Sequence, residues 1–468
     1  MSITQVPAQV PALVPSPAPA SRILRPGDPG WDAARQAWNL AVDQRPAAVA
    51  LPRSPADVVA AVRQARRCGL RVAAQGTGHG AAALGPLADT LLIKTSQMRG
   101  VTIDPAAWIA RAEAGALWPD VLGAAAGHGL TGLAGSSPDV GVVGYTLGGG
   151  MSWLGRAYGL SANNVEAIEL VTADGRLRRV DACHEPGLFW ALRGGGGSFG
   201  VVTAVDLRLF PVAEVYAGLL WWPMRAASRV LPTWAQLTRS GLPDELTTSF
   251  RLMRFPALPE IPEPARGECF AVVDVIHIGS PAEADQILRP LRDLAPVRDT
   301  LGPVPAEALS HLHMDPEQPE PGVGDGLMLA SLPPEATVGL LRVAGPDTAS
   351  PLTAVELRHV GGEMRRARPG NGALAAVEAE YALYALGGVP TPAAASSVAL
   401  GVGAVTSAMR PWAARQMYLN LAESRRDPAS FWPTAAYDRL REIKRAVDPG
   451  DLIRSNHPIP PYHEGTSS

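Results

Sequence analysis

The run Gly135-Ser-Ser-Pro-Asp-Val-Gly-Val-Val-Gly-Tyr-Thr-Leu-Gly-Gly-Gly150 carries too much glycine for the interior of a strand or a helix. Backbone of this kind bends sharply or follows a ligand closely, because a residue without Cβ can approach where others collide. Two further runs share the property: Gly76-Thr77-Gly78-His79-Gly80 and Arg193-Gly-Gly-Gly-Gly-Ser-Phe-Gly200. Flexible linkers are polar, whereas these runs are set among apolar segments, so a cradled ligand explains them better than flexibility does.

Working outward, "AAVALPRS" after Arg45 reads as a strand, and a helix follows from Pro55, with apolar residues at helical spacing, and stops at Gly69. "LRVAAQG" is a short buried strand that leads into the Gly76 loop, and "DTLLIKTSQM" is the next. Strands are predicted at "WIARAEAG", "AIELVTADG" and "GVVTAVDLRLFPV", and a helix at "WPDVLGAAAGHG". After Pro211 the pattern changes to longer alternating strands, "TTSFRLMRF", "CFAVVDVIHIG", "TAVELRHVGGEM" and "ALAAVEAEYALYAL", with "PAEADQILRPLRDL" helical between two of them. The expected fold class is therefore α+β, with a second domain built on a mostly antiparallel sheet. The acidic, proline-rich segment Asp315 to Gly326 reads as an exposed loop.

The chain has 468 residues, more than one ordinary core requires, so two or more packed regions are expected, with area enough to enclose a cofactor. With 41 Lys+Arg against 44 Asp+Glu the net charge is −3, which leaves no electrostatic footprint for nucleic acid. Cys68, Cys183 and Cys269 are far apart and form no C-x-x-C pair, so neither a disulfide framework nor a thiolate zinc site is indicated. The first 40 residues are broken by proline and lack a basic start, and they read as a disordered leader rather than a signal peptide. No membrane-spanning stretch is expected, and the default location is the cytoplasm. Oligomeric state is not readable.

A glycine loop after a strand can wrap phosphate with its N–H groups while a histidine at its tip, here His79, reaches outward. It is no Rossmann fingerprint, which needs G-x-G-x-x-G opening a helix. His311 and His313 have the spacing of one strand face but no third ligand in a metal pattern, so no metal site is expected. In "VEAEYALYAL" alternation puts Glu378, Glu380 and Tyr384 on one face and Tyr381 on the other, with Val377, Ala379 and Leu383. The polar face is either a pocket wall or a solvated outer surface.

Taken in order, G-x-G-H, S-P-x-V-G-x-x-G-x-x-x-G-G-G, "GLSANNV", "GLFWALRGGGGSFGVVT" and "VDPGDLIRSNHPIPP" resemble the FAD-linked oxidases of the vanillyl-alcohol oxidase superfamily, in particular its berberine-bridge-enzyme-like group. The resemblance runs from about Arg45 to Pro461. It implies a PCMH-type FAD-binding domain of two subdomains over 41–212, a substrate domain over 213–410 with helices flanking the antiparallel sheet, and a C-terminal segment, 411–468, that returns to the FAD domain. In such proteins the first-loop histidine bonds the 8α carbon of the flavin, and His79 holds that position, between Gly76, Thr77, Gly78 and Gly80. Where many members have a second, cysteine link, this chain has Ser137, which implies a single tether and a less enclosed site.

The same resemblance assigns Ser136, Val140, Gly141, Gly144, Tyr145, Gly148, Gly149, Gly200, Val201 and Asn456 to the cofactor, with His457 beside Asn456. Tyr145 stands where relatives often have histidine, so hydrogen bonding around the flavin ribityl chain or N1 to C2=O edge differs. Val140, a small residue at its position, accompanies access of O2 in relatives. The Y-x-N signature appears as Tyr418-Leu-Asn420, which makes Tyr418 the first catalytic candidate, followed by Tyr384, Tyr381 and Glu380. The implied activity is an oxidase: a small organic substrate, such as a natural-product intermediate, gives a hydride to flavin N5, and O2 takes the electrons to form H2O2. A dehydrogenase or oxidative cyclase with the same flavin, and a non-redox flavin-binding protein, are the alternatives.

Overall fold

The computed structural model describes residues 22–259 and 261–462. Among the described residues the strands form three sheets, with helices packed against them, in line with the α+β expectation. The first has five strands in the order Arg22–Leu24, Ala48–Leu51, Thr90–Lys94, Arg71–Gln75 and Ile453–Arg454. Its last four strands run parallel, and the helix Pro55–Arg67 buries Val58, Ala61, Val62 and Ala65 against it. Ser54 caps this helix by accepting from the Asp57 N–H, and Pro55 sits where a missing N–H costs nothing.

A second, antiparallel sheet is ordered Val101–Asp104, Ile109–Glu113, Val201–Arg208, Val165–Val171 and Leu177–Asp181. The first glycine run leaves the first sheet after Gln75, the third leads into Val201–Arg208 of the second, and the run 135–150 lies between the helices Trp118–Ala126 and Gly155–Tyr158. The third sheet is antiparallel, and its central order is Glu214–Pro223, Cys269–His277, Leu246–Arg254, Ala354–His359, Tyr381–Gly388 and Gly322–Leu329. Alternation sorts its two faces. Phe250, Leu252, Val273, Leu357 and Leu383 lie under the helices Ala227–Arg239, Pro281–Arg292, Pro334–Ala344 and Pro392–Met409, in the largest apolar core. The opposite face carries Ser249, Arg251, Asp274, Glu356, Arg358 and Tyr384. Such a row of polar groups is stable there only because the groups satisfy one another.

Several expectations are corrected. The part of the leader over residues 1–21 lies outside the described residues. From Arg22 onward, however, the chain is built into the fold: Arg22–Leu24 pairs with Ala48–Leu51, and Trp31 is buried. The run 135–150 contains a short helix, Val142–Leu147, whose Val142, Val143, Thr146 and Leu147 supply the apolar contacts that its glycines lack. Residues 377–380 are not strand. His311 and His313 lie in and just after a 3-10 turn, Ala306–His311, and the supposed loop to Gly326 ends as the edge strand Gly322–Leu329. The charge-free helix Pro392–Met409 is long and apolar enough to cross a membrane by length and composition, contrary to expectation, but Val398, Val402, Val405 and Met409 dock it on the third sheet.

Candidate functional site

The Arg71–Gln75 strand delivers the first loop. Gly78 has φ +99°, and a Cβ there would stand 2.8 Å from Gln75 Nε2 and 3.0 Å from Ala37, so the turn admits glycine alone. The N–H groups of Thr77 and Gly78 meet no acceptor among the described residues, the condition in which successive amides hold an anion. His79 follows, stacked on Trp38 with ring centroids 4.3 Å apart. Its Nε2 is 3.4 Å from the main-chain oxygen of Asp139 and 3.4 Å from its Oδ1, and Ser137 Oγ donates to the same Oδ1 at 2.6 Å. His79 thus joins the first glycine loop to the second.

In the second loop Gly141 faces Thr77 Cγ2, 3.7 Å from the place of a Cβ. Asn420 Nδ2 donates to the Tyr145 carbonyl at 2.9 Å, and its Oδ1 lies 1.6 Å from where a Cβ on Gly148 would be. Gly149, at φ +122°, leaves room for Tyr418, whose hydroxyl is 2.7 Å from the same construction. A Cβ on Gly144 would meet nothing within 4 Å. Tyr145 packs edge-on against Trp118 at 5.4 Å, and the buried hydroxyls of Tyr145 and Tyr418 have no hydrogen-bond partner. Burial raises both phenols well above their ordinary pKa, and for Tyr418 the Arg358 guanidinium opposes the rise only in part.

The third loop is tied down by the C-terminal segment. Trp432 Nε1 donates to the Gly194 carbonyl at 3.0 Å, and the hydroxyls of Ser198 and Ser455 are 2.8 Å apart. Buried Lys444 donates to the carbonyls of Ser198 and Ile453 and to Asp448. Asn456 reaches the first loop, its Nδ2 3.0 Å from a Cβ built on Gly80, and His457 meets the Ala422 carbonyl at 2.9 Å. Gly200 and Val201 start a strand and pack against Leu170 and Val171, which makes them support rather than cradle. Val140 is packed, half-buried, against the core of the same domain.

The polar face of the third sheet closes the site. Arg358 Nε donates to Glu356 Oε1 at 2.9 Å, its guanidinium lies over the Trp153 ring, and Nη2 reaches Ser136 Oγ at 3.4 Å. His313 Nδ1 is 2.6 Å from Asp315 Oδ1, and its Nε2 is 3.5 Å from Glu356. Burial and the Arg251 guanidinium oppose a charge on His313, but the Asp315 and Glu356 carboxylates prevail and push its pKa up to about 9. Tyr384 stands across from Glu356 in register and donates to the Glu423 carboxylate. Burial, with the Asp325 carboxylate behind it, pushes Glu423 up to about 7 against that hydrogen bond.

The candidates therefore divide. Tyr418 lies against the second loop at Gly149, Ser136 belongs to that loop and meets Arg358, and Tyr384 stands on the polar sheet face beside Glu423. Tyr381 stands apart: it lies in the helix-covered core, its hydroxyl 2.7 Å from Thr238 Oγ1, because its parity puts it on the other face from Tyr384. Glu380 precedes the strand and pairs at the periphery with Arg365, its side chain 38% exposed. Trp38, Asp139, Glu356, Arg358 and Glu423 join Tyr418, Tyr384 and Ser136 with no signal in the sequence. His313, marked in the sequence only by its spacing from His311, joins them through Asp315 and Glu356.

The orphaned Tyr145 and Tyr418 hydroxyls, the unpartnered amides of the first loop and the glycines where a Cβ would collide fit a flat, anionic cofactor such as FAD. Residues 46–181 match the family model described as FAD binding domain. By that match residues 46–181 are an FAD-binding domain. Over 43% of this chain and 44% of the relative, the chain is 34% identical to (R)-6-hydroxynicotine oxidase of Paenarthrobacter nicotinovorans. It is also 34% identical to glucooligosaccharide oxidase of Sarocladium strictum, over 47% of this chain and 45% of that one. These matches span about half of each relative's length. The fold of this FAD-binding chain extends further: the wild-type BBE-like 1 protein of Physcomitrella patens superposes with a TM-score of 0.81, at 20% identity, over 95% of this chain and 97% of its own.

Proposed function

We propose that this protein is an FAD-dependent oxidase of a small, polar organic molecule, with FAD held through a single covalent link to His79. The observation that carries the reading is the meeting of three glycine loops and the C-terminal segment around His79, opposite a buried polar sheet face. Thr77 and Gly78 would hold the phosphates, Tyr145 and Asn456 the flavin side, and Ser137 leaves the tether single. Bound there, FAD supplies a two-electron acceptor for a hydride.

The remaining chemistry belongs to the protein. The substrate lies against Tyr418, Arg358 and Tyr384 and is oriented by them. Its O–H or N–H proton passes to Tyr384 as the phenolic proton of Tyr384 passes to Glu423, whose carboxylate is the proton acceptor nearest neutrality in the site. Tyr418 keeps its proton and acts as a hydrogen-bond donor. The mixed charges of Arg358, Glu356, His313 and Asp315 suit a substrate with both donors and acceptors, and the similarity to oxidases named for a hydroxynicotine and for glucooligosaccharides supports that class.

The test is anaerobic mixing of the yellow holoenzyme with hydroxylated N-heterocyclic amines, oligosaccharides and benzylic alcohols. Bleaching at 450 nm, roughly the absorption maximum of oxidised flavin, followed by colour recovery and stoichiometric H2O2 on admitting air, is the expected result. Bleaching without rapid recovery in air makes it a dehydrogenase, and no bleaching across the panel removes the oxidase reading.

A further inference from the structure

His79 is held by more than its loop. Its ring is stacked on Trp38, and its Nε2 faces two acceptors of one residue, the Asp139 carbonyl and Oδ1, each at 3.4 Å. Its Nδ1 has no hydrogen-bond partner among the described residues. An imidazole between two acceptors keeps its proton on the nitrogen that faces them and leaves the lone pair on the other. Asp139 is fixed in turn by Ser137 Oγ at 2.6 Å, while its Oδ2 is buried and unpartnered. Burial opposes charge on this carboxyl, but the hydrogen bonds from His79 and Ser137 hold it below the usual carboxylate range.

We propose that Asp139, oriented by Ser137, is the positioning residue for tethering: it fixes the Nε2–H tautomer of His79, so that Nδ1 forms the bond to the flavin 8α carbon. The inference rests on the covalent link proposed above and assigns its geometry. A C–N bond forms between Nδ1 and the 8α carbon, one methyl C–H bond is broken and the Nε2 proton is released. The two hydrogens and two electrons given up leave with O2 as H2O2. As the bond forms, positive charge develops on the imidazole, and the adjacent Asp139 carboxylate stabilises it. Ser137, in the position of a second tether in relatives, here supports the first.

The experiment supplies FAD to the full chain and follows two quantities: total FAD bound per chain, and the fraction that stays with the chain after acid precipitation. His79→Ala is the untethered control. In Asp139→Asn and Asp139→Ala total binding is expected to persist while the tethering rate falls by about tenfold or more, as when a buried partner of a reacting histidine is removed. Ser137→Ala is expected to slow tethering less, and Asp139→Glu to restore part of the rate. NMR of the flavin peptide from the wild type should show the link at Nδ1, and that from Asp139→Ala a mixture of both nitrogens. Tethering at the wild-type rate without Asp139, a wild-type link at Nε2, or loss of all FAD binding in every Asp139 variant would overturn the proposal. Complete release of FAD from the wild type on acid precipitation would instead refute the covalent link itself, and the proposal with it.

Discussion

Gly148 has no room for a side chain: Asn420 Oδ1 occupies its Cβ position and is pinned there by the bond from Asn420 to Tyr145. Gly148→Ala should therefore cost about 1–3 kcal/mol through forced displacement of the two loops. It should also weaken FAD retention, which thermal unfolding and flavin content both measure, and an unchanged melting temperature would refute the packing argument. Glu423 makes a second prediction at this scale. Its carboxyl, pushed up to about 7, takes up a proton as the pH falls through neutrality and can then accept none. The kcat/KM of the wild type should decline on the acid side of about pH 7. Glu423→Gln should abolish that limb and lower kcat by about 10²-fold or more, the usual contribution of a positioned base. A retained limb in the variant assigns it to another group.

Among the elements, the C-terminal helix Thr434–Val447 bears the most on the site, because buried Lys444 fastens it to the third glycine loop and to the Ile453–Arg454 strand at once. Lys444→Met leaves Asp448, 1% exposed, without its partner, and breaking such a buried pair costs about 3–5 kcal/mol. The expected outcome is early proteolysis near residues 450–459 and loss of FAD, with partial recovery in the double variant Lys444→Met, Asp448→Leu. Proteolysis and flavin content unchanged from the wild type would show that the contact is dispensable. On the third sheet, period-two alternation correctly separates Tyr381 from Tyr384. It does not say which face is covered by helices, and residues 377–380, similar in pattern, are not strand at all.

At the scale of the molecule, the polar sheet face and the FAD-binding domain meet through one charged network, with His313 at its centre. Because the folded protein raises the pKa of His313 from 6.5 to about 9, its contribution to stability is full below pH 6.5 and is lost as the pH rises through about 9. Melting temperatures measured across that window should fall more steeply for the wild type than for His313→Asn, and parallel curves would exclude the linkage. The cradle was legible in the sequence because Gly78, Gly148 and Gly149 report a local necessity, the absence of Cβ where backbone must turn or another chain segment presses close. Period-two patterns likewise revealed the antiparallel sheet. Trp38, Asp139, Arg358 and Glu423 carry no such local mark: an ordinary tryptophan, arginine or carboxylate acquires its role only from what stands beside it. Trp38 and His79 are 41 positions apart, Tyr384 and Glu423 39 apart, and Ser136 and Arg358 222 apart. By itself, then, the sequence determined the loops, their histidine and the strand faces, because those follow from short-range sterics. Tertiary structure alone decided which polar groups share the buried site and how they are charged, because desolvation and Coulomb coupling depend on distances that only packing sets.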